Sequence, residues 1–300
     1  MPEHGPDDTS HERGSSRRRP GSIARILRTE RLGVAGGLLV AGLVVVAIVA
    51  PQIAPVDPKA TAFETYLPPA GRNPMGTDHL GRDVLSRVVH GARLSLYVGL
   101  TSVLLAVSLG SAWGMAAAYF GGTFDLVSQR LVDVMMGYPP IILALALMAA
   151  LGPSVNNVIL ALLLLLVPTA ARTVRAHVLT LKELPYVESA RAAGASHVRI
   201  LVRHLLPNSV GTITVLVSVN VAYAILVEAS LSFLGLGSPP DEPSWGGMLA
   251  TAVRSIDFAP WAVFFPGLAM SLSVFGLNLF GDMIRDMLDP RLRIAPGQES

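Results

Sequence analysis

The chain has 300 residues, 51% of them hydrophobic and only 15% charged, with no cysteine and a formal charge of +2. Soluble domains carry about 25% charged residues, so this composition excludes a chain that clothes itself in a water-facing surface. It also excludes a disulfide framework, a thiolate metal site and a cysteine nucleophile, and the net charge is too small to indicate a nucleic-acid partner.

Residues 1–31 read as a disordered, basic cytoplasmic tail, rich in Pro, Gly and Ser over 1–22, with Arg17, Arg18 and Arg19 in a row. The uncharged block at 32–53 follows without a small-residue cleavage site, so it reads as a first span and not as a removed signal. A crossing helix needs about 20 apolar residues to cover about 30 Å of hydrocarbon. Residues 54–93 form an external or interfacial segment. Within it, 83–90 reads as amphipathic, with Val84, Leu85, Val88 and Val89 towards lipid or protein and Asp78, Arg82, Asp83 and Arg87 in the headgroup zone.

A five-helix core is expected over 94–284. The second span is 94–120, broken at Gly121 and Gly122. The uncharged block 134–171 is too long for one helix, and Gly152-Pro153 followed by Asn156-Asn157 divides it in two. A fifth span at 208–227 and a sixth at 258–281 complete an all-α polytopic protein of six transmembrane helices, with an external loop at 233–257 and a cytoplasmic tail at 285–300. With both termini inside, seventeen of the 23 Lys and Arg residues fall on the cytoplasmic side, which the positive-inside rule favours.

The polar loop at 172–207 is then cytoplasmic. Pro185 suits the first position of a helix, residues 186–193 are mostly good helix formers, and Gly194 can take the left-handed turn that ends it. Ser196 caps a second helix expected to run through Leu205 and stop before Pro207. Ala190, Ala192 and Ala193 are small enough for close approach by a partner, while Glu188 and Arg191 share a face. A helix-turn-helix DNA reader has the same outline, but a loop tethered at both ends cannot bury a core of its own. A solvated loop with a positive-inside bias is the plainer alternative. In the external 233–257 loop, Phe233 and Trp245 fit either a docking surface or an interfacial anchor. Glu228 lies at the outer end of the fifth span, where snorkelling and a hydrogen-bond partner would suffice for a gate or packing role. Asn220 and Asn278 lie deeper, suited to helix–helix bonds or a pathway.

The order Glu188, Ala190, Gly194, then Leu206 and Pro207 resembles the coupling loop, or EAA motif, of ABC importer permeases. Ser189 replaces the second family alanine, and His204 stands where many branches carry an aliphatic residue. Pro74-Met-Gly-Thr-Asp78, Leu80-Gly-Arg-Asp-Val-Leu-Ser-Arg87, Glu228-Ala-Ser-Leu-Ser-Phe-Leu-Gly-Leu-Gly237 and Arg285-Asp-Met-Leu-Asp-Pro-Arg-Leu-Arg293 are similar to segments of the dipeptide, oligopeptide and nickel branch, in its second, C-type permease. The resemblance implies the type I importer fold and inner-membrane placement. It implies peptide import by alternating access, with Glu188, Ala190, Arg191, Gly194, Leu206 and Pro207 coupling to ATPases. The implied partners are a second homologous permease, two ATP-binding cassette ATPases, an extracytoplasmic substrate-binding protein and membrane lipid. Nickel or another small solute is the alternative cargo, and a non-transporting membrane scaffold or sensor the alternative class. No phosphate loop, His-Glu-x-x-His or Gly-x-Ser-x-Gly motif occurs, so no catalytic, cofactor or metal residues are expected, and ATP falls to the partners.

Overall fold

A computed structural model describes residues 31–288. The expectations for the basic tail before Arg31 and for the last residues of the C-terminal tail, Arg291 and Arg293 among them, lie outside the described residues. Apolar sequence in these lengths folds into helices because a bilayer offers no water to backbone N–H and C=O groups. Helix α1 (Arg31–Ile48) packs across the last helix through small residues. A β-carbon on Gly36 would sit 2.5 Å from Leu279 Cβ, and one on Gly276 would sit 2.8 Å from Leu39 Cβ.

Helix α2 (Val84–Phe120) is a single uninterrupted 37-residue rod, about 55 Å long. Asp83 caps its start, accepting from Ser86 N–H at 2.8 Å, and Gly121 at φ 65° ends it. It therefore begins ten residues earlier than the span expected at 94–120, and 84–90 is its first two turns. Its main packing partner is α5 (Val155–Leu181), which runs parallel to it and ten residues past the expected end at 171. The two helices nearly touch: a β-carbon on Gly110 would lie 2.6 Å from Val167 O, and one on Gly114 only 2.1 Å from Ala171 O.

The third crossing departs most from the sequence pattern. It consists of α3 (Gly122–Met136) and α4 (Pro140–Leu151), bent by 83° at the break around Pro139 and Pro140. Twelve residues reach about 18 Å, so α4 cannot cross alone. Asp125 pairs with Arg175 at 2.5 Å, and Asp133 pairs with Arg172, tying α3 to α5. The remaining elements are α6 (Pro185–Ala192), α7 (His197–Ile200), α8 (Leu206–Phe233), α9 (Trp245–Ala252) and α10 (Trp261–Leu288). Five helical stretches are long and apolar enough to span, with α7 and α8 counted as one, and the number is six when the bent pair is counted as one span.

The cap at the N-terminal end of α2 is built on buried charge. Arg82 Nε donates to Asp78 Oδ2 at 2.7 Å, Arg87 Nη1 donates to Pro58 O at 3.0 Å, and Asn73 Nδ2 donates to Asp83 Oδ1 at 2.9 Å. Asp83 and Arg87 are 0% and 3% exposed, so these groups face protein and not solvent. They fold the 54–83 segment into a polar knot beneath which α2 starts. Trp245 is likewise neither a docking surface nor an interfacial anchor. It is buried, its Nε1 donates to Val88 O at 2.9 Å, and its ring fills the space a side chain on Gly91 would need.

Two outcomes follow. Arg82→Ala takes the nearer guanidinium from the buried Asp78 carboxylate, leaving Arg87 at 3.8 Å, and is expected to destabilise the protein by about 3 kcal/mol, whereas Arg130→Ala at the exposed Asp133 pair changes stability by under about 1 kcal/mol. Gly114→Val is expected to cost at least about 1–3 kcal/mol by overpacking, while Gly42→Ala, with open space around it, is neutral. Thermal unfolding in detergent measures all four.

Candidate functional site

The strongest candidate is the connection between α5 and α8. Pro185 opens α6 after an extended Leu184, Glu188 lies in its first turn and Arg191 in its last, an order that suits the helix dipole. At the C-terminus, Gly194 takes φ +74°. Its N–H reaches Arg191 O at 2.9 Å and Ala195 N–H reaches Ala190 O at 3.0 Å, the paired bonds of a Schellman ending. Ser196 Oγ then accepts from Arg199 N–H at 3.3 Å and starts α7.

Pro207 does not terminate the second helix. Residues Leu201–Leu205 form one π-helical turn, with Leu206 N–H bonded to Leu201 O, and α8 continues through Pro207. The wider turn avoids the clash a proline ring makes with the carbonyl four residues back. Asn208 Nδ2 and Ser209 Oγ donate to His204 O at 2.6 Å and Leu205 O at 2.9 Å.

Three buried side chains, Val187, Ile200 and Leu205, anchor this element to Met115, Ala118 and Tyr119 of α2 and to Val174 and Val178 of α5. Polar contacts add direction. Tyr119 Oη lies 2.8 Å from His197 Nδ1, Arg191 places its guanidinium 5.3 Å from the Tyr119 ring centre, and Lys182 Nζ donates to Ala118 O at 3.1 Å. Arg191 thus turns to an aromatic face, in place of the exposed pairing with Glu188 that their spacing allowed. Of the singled-out residues, Glu188, Arg191, Gly194, Leu206 and Pro207 are exposed, and Ala190 packs inward. The exposed apolar side chains Leu184, Tyr186, Val198, Val202 and Leu206 surround them. Of these, sequence reasoning named only Leu206 and missed the other four, although Val198, Val202 and Leu206 recur at four-residue spacing.

The three span residues do not converge. Asn220 Nδ2 donates to Leu216 O of its own helix at 2.7 Å, and Asn278 is exposed on α10. Glu228 is 0% exposed, so it does not snorkel. It accepts from Ser232 Oγ at 2.7 Å, and Ser232 Oγ in turn accepts from Ser238 N–H at 3.2 Å. At the opposite end from α6, Lys59 Nζ donates to Glu242 Oε1 at 2.7 Å, a bond that raises the Lys59 pKa above the ordinary lysine value. Among the described residues, no group of three or more His, Asp or Glu side chains gathers to hold a metal.

Residues 109–294 match the family described as the binding-protein-dependent transport system inner membrane component, and 21–69 match the N-terminal transmembrane domain of oligopeptide transport permease C. A protein of Brucella suis biovar 1, provisionally named a peptide transport system permease protein, is 43% identical over 90% of this chain and 92% of its own length. A glutathione transport system permease protein of Pectobacterium atrosepticum is 41% identical over 90% of each chain. A dipeptide transport system permease protein of Alkalihalophilus pseudofirmus is 38% identical over 89% of this chain and 88% of its own. Among solved structures, the inward-facing MetNI methionine ABC transporter matches with a TM-score of 0.55 at 17% identity, over 68% of this chain and 96% of the other.

Val187→Ala removes two buried carbons from the α6 anchor and is expected to lower its local stability by about 2 kcal/mol. Hydrogen exchange of the amides over 185–195 should quicken accordingly, while Glu188→Ala, at an exposed position, leaves those rates unchanged.

Proposed function

Since the chain belongs to the family of binding-protein-dependent transport inner membrane components, the multi-pass permeases of ABC importers, we propose that it carries dipeptides or oligopeptides inward, driven by ATPase subunits docked on α6. The observation that carries this reading is the presentation of α6. A short helix, closed by a left-handed glycine and held by Val187, Ile200 and Leu205, offers an exposed apolar and charged rim to something outside the chain. The peptide assignment draws on the relatives' names, which are those of peptide, dipeptide and glutathione systems.

In this reading both termini and the 172–207 connection are cytoplasmic. Glu188, Arg191, Gly194, Leu206 and Pro207 meet the groove of an ATPase, with Ala190 allowing the helix to sit low on α2. ATP is bound and hydrolysed by two such partners, and this chain contributes neither phosphate loop nor base. When the ATPases close, α6 moves, and the Tyr119 and Lys182 contacts pass that motion to the end of α2. An unbroken helix conveys a displacement to its far end without absorbing it, so the outer cap moves as one body with the inner dock.

The face of α2 that carries Tyr97, Leu100 and Leu104 is left uncovered by the chain's own helices. A second, homologous permease closes the path against it, and an extracytoplasmic binding protein delivers the peptide to the cap. Glu228 holds the outer end of α8 to the following loop through Ser232 and Ser238 and belongs to the packing around the gate. Asn220 and Asn278 serve helix packing on either side of it.

The test is uptake of a labelled dipeptide by membranes carrying the assembled system. Val198→Glu alters only an exposed side chain, and Gly194→Val meets no neighbour but strains the left-handed turn by about 1–2 kcal/mol. Each is expected to lower uptake at least tenfold and weaken ATPase co-purification, with the amount of folded permease unchanged. Undiminished uptake in both would remove the docking role. Wild-type membranes that concentrate nickel but no peptide would remove the peptide assignment alone.

A further inference from the structure

The outer end of α2 carries a second arrangement, distinct from the dock. His90, Arg93, Leu94 and Tyr97 recur at the spacing of one helical face. They form one wall of an open cleft of about 310 Å³. Lys59 and Glu242 form the other wall, clasped across 183 positions of sequence, so the cap segment and the loop before α9 are held together at its rim. This volume lies at the lower end of the roughly 300–1,000 Å³ typical of small-molecule sites.

The charges in the cleft are uneven. Lys59 answers Glu242, leaving the Arg93 guanidinium in excess, and Arg93 has no carboxylate partner among the described residues. The other two arginines of this region, Arg82 and Arg87, are buried and engaged with Asp78. Beside Arg93, the Tyr97 side chain is 53% exposed, and its hydroxyl has no bond among the described residues. His90 Nδ1 donates to Ser86 O at 2.9 Å, which fixes the ring and leaves Nε2 as its free nitrogen. A planar guanidinium fork beside a phenol is suited to a carboxylate, which it can bind through two parallel bonds.

The same face of α2 continues through Leu100, Leu104 and Ser108 to a cavity of about 410 Å³, lined by Ser111, Met115, Leu201 and Ile213 close to the coupling element. The cleft is therefore the outer end of the stripe along which the path is set above. We infer that Arg93 and Tyr97 form an entry subsite for the C-terminal carboxylate of an incoming peptide, with Leu94 against its last side chain. The inference rests on the peptide-import reading and names the end of the peptide that enters against this wall.

The oxyanion could instead come from a lipid phosphate or from an acidic side chain of a partner protein, and the test separates them. A benzoylphenylalanine replaces Leu100, one turn along the same face and outside the subsite, in the assembled complex in proteoliposomes, and tritiated trialanine or its C-terminal amide is supplied with binding protein saturated by each. Illumination is expected to label this chain with trialanine, and at least fivefold less with the amide. Arg93→Gln should reduce trialanine labelling to the amide level, and Arg93→Lys should restore part of it. Equal labelling by both peptides, or crosslinks only to lipid or to a partner protein, would overturn the subsite while uptake persists. Absence of any trialanine uptake by the unmodified complex would instead sink the peptide reading and the subsite with it.

Discussion

The fold depends on the close approach of α2 to α5. At Gly110 and Gly114 the two backbones come so near that no side chain fits between them. Lipid tails are as apolar as leucine, so nothing comparable to the hydrophobic effect in water presses these helices together. Van der Waals contact between small residues takes its place. Because that contact lies in the C-terminal half of α2, it fixes where the C-terminal ends of both helices emerge. The α6 element stands on those ends: Val174 and Val178 of α5 and Met115, Ala118 and Tyr119 of α2 make one floor for Val187, Ile200 and Leu205.

At the other end, a different force organises the chain. Asp78, Asp83, Arg82 and Arg87 are withdrawn from solvent, which is tolerable only because each finds partners in the 54–83 segment. The result is a rigid cap bonded to the first turn of α2, with Trp245 inserted beside it. One helix thus carries a polar knot at one end and the packing floor of α6 at the other, with no break in between. That continuity lets a displacement at one end of α2 reach the other, which is what the proposed coupling requires.

The connection from α6 to α8 shows how local chemistry serves this purpose. A Schellman ending sets the direction in which the chain leaves α6, and a π turn lets it enter α8 without a kink at Pro207. Dock and span are therefore one mechanical piece and not a loop hung between two spans. Arg191 and His197, both on the surface side, lean on Tyr119 and orient the short helix relative to α2. The third crossing, bent between α3 and α4, is fastened to α5 by ion pairs at its inner half.

The sequence by itself determined the all-helical membrane-spanning class, the positions of most crossings and the start and end of α6. Each of these is governed by local quantities: apolar length against bilayer thickness, and proline and glycine at the two ends of a short helix. Only the tertiary structure decided that the charges near Asp78 are interior, that Trp245 and Glu228 are buried, and that Pro207 sits inside a continuous helix. It also decided that α4 needs α3 to cross, and which apolar side chains of the dock remain exposed. These outcomes depend on partners far away in sequence, such as Val88 for Trp245, Tyr119 for Arg191 and Arg175 for Asp125. Spacing along one segment cannot specify such partners, because burial and pairing are properties of the packed bundle.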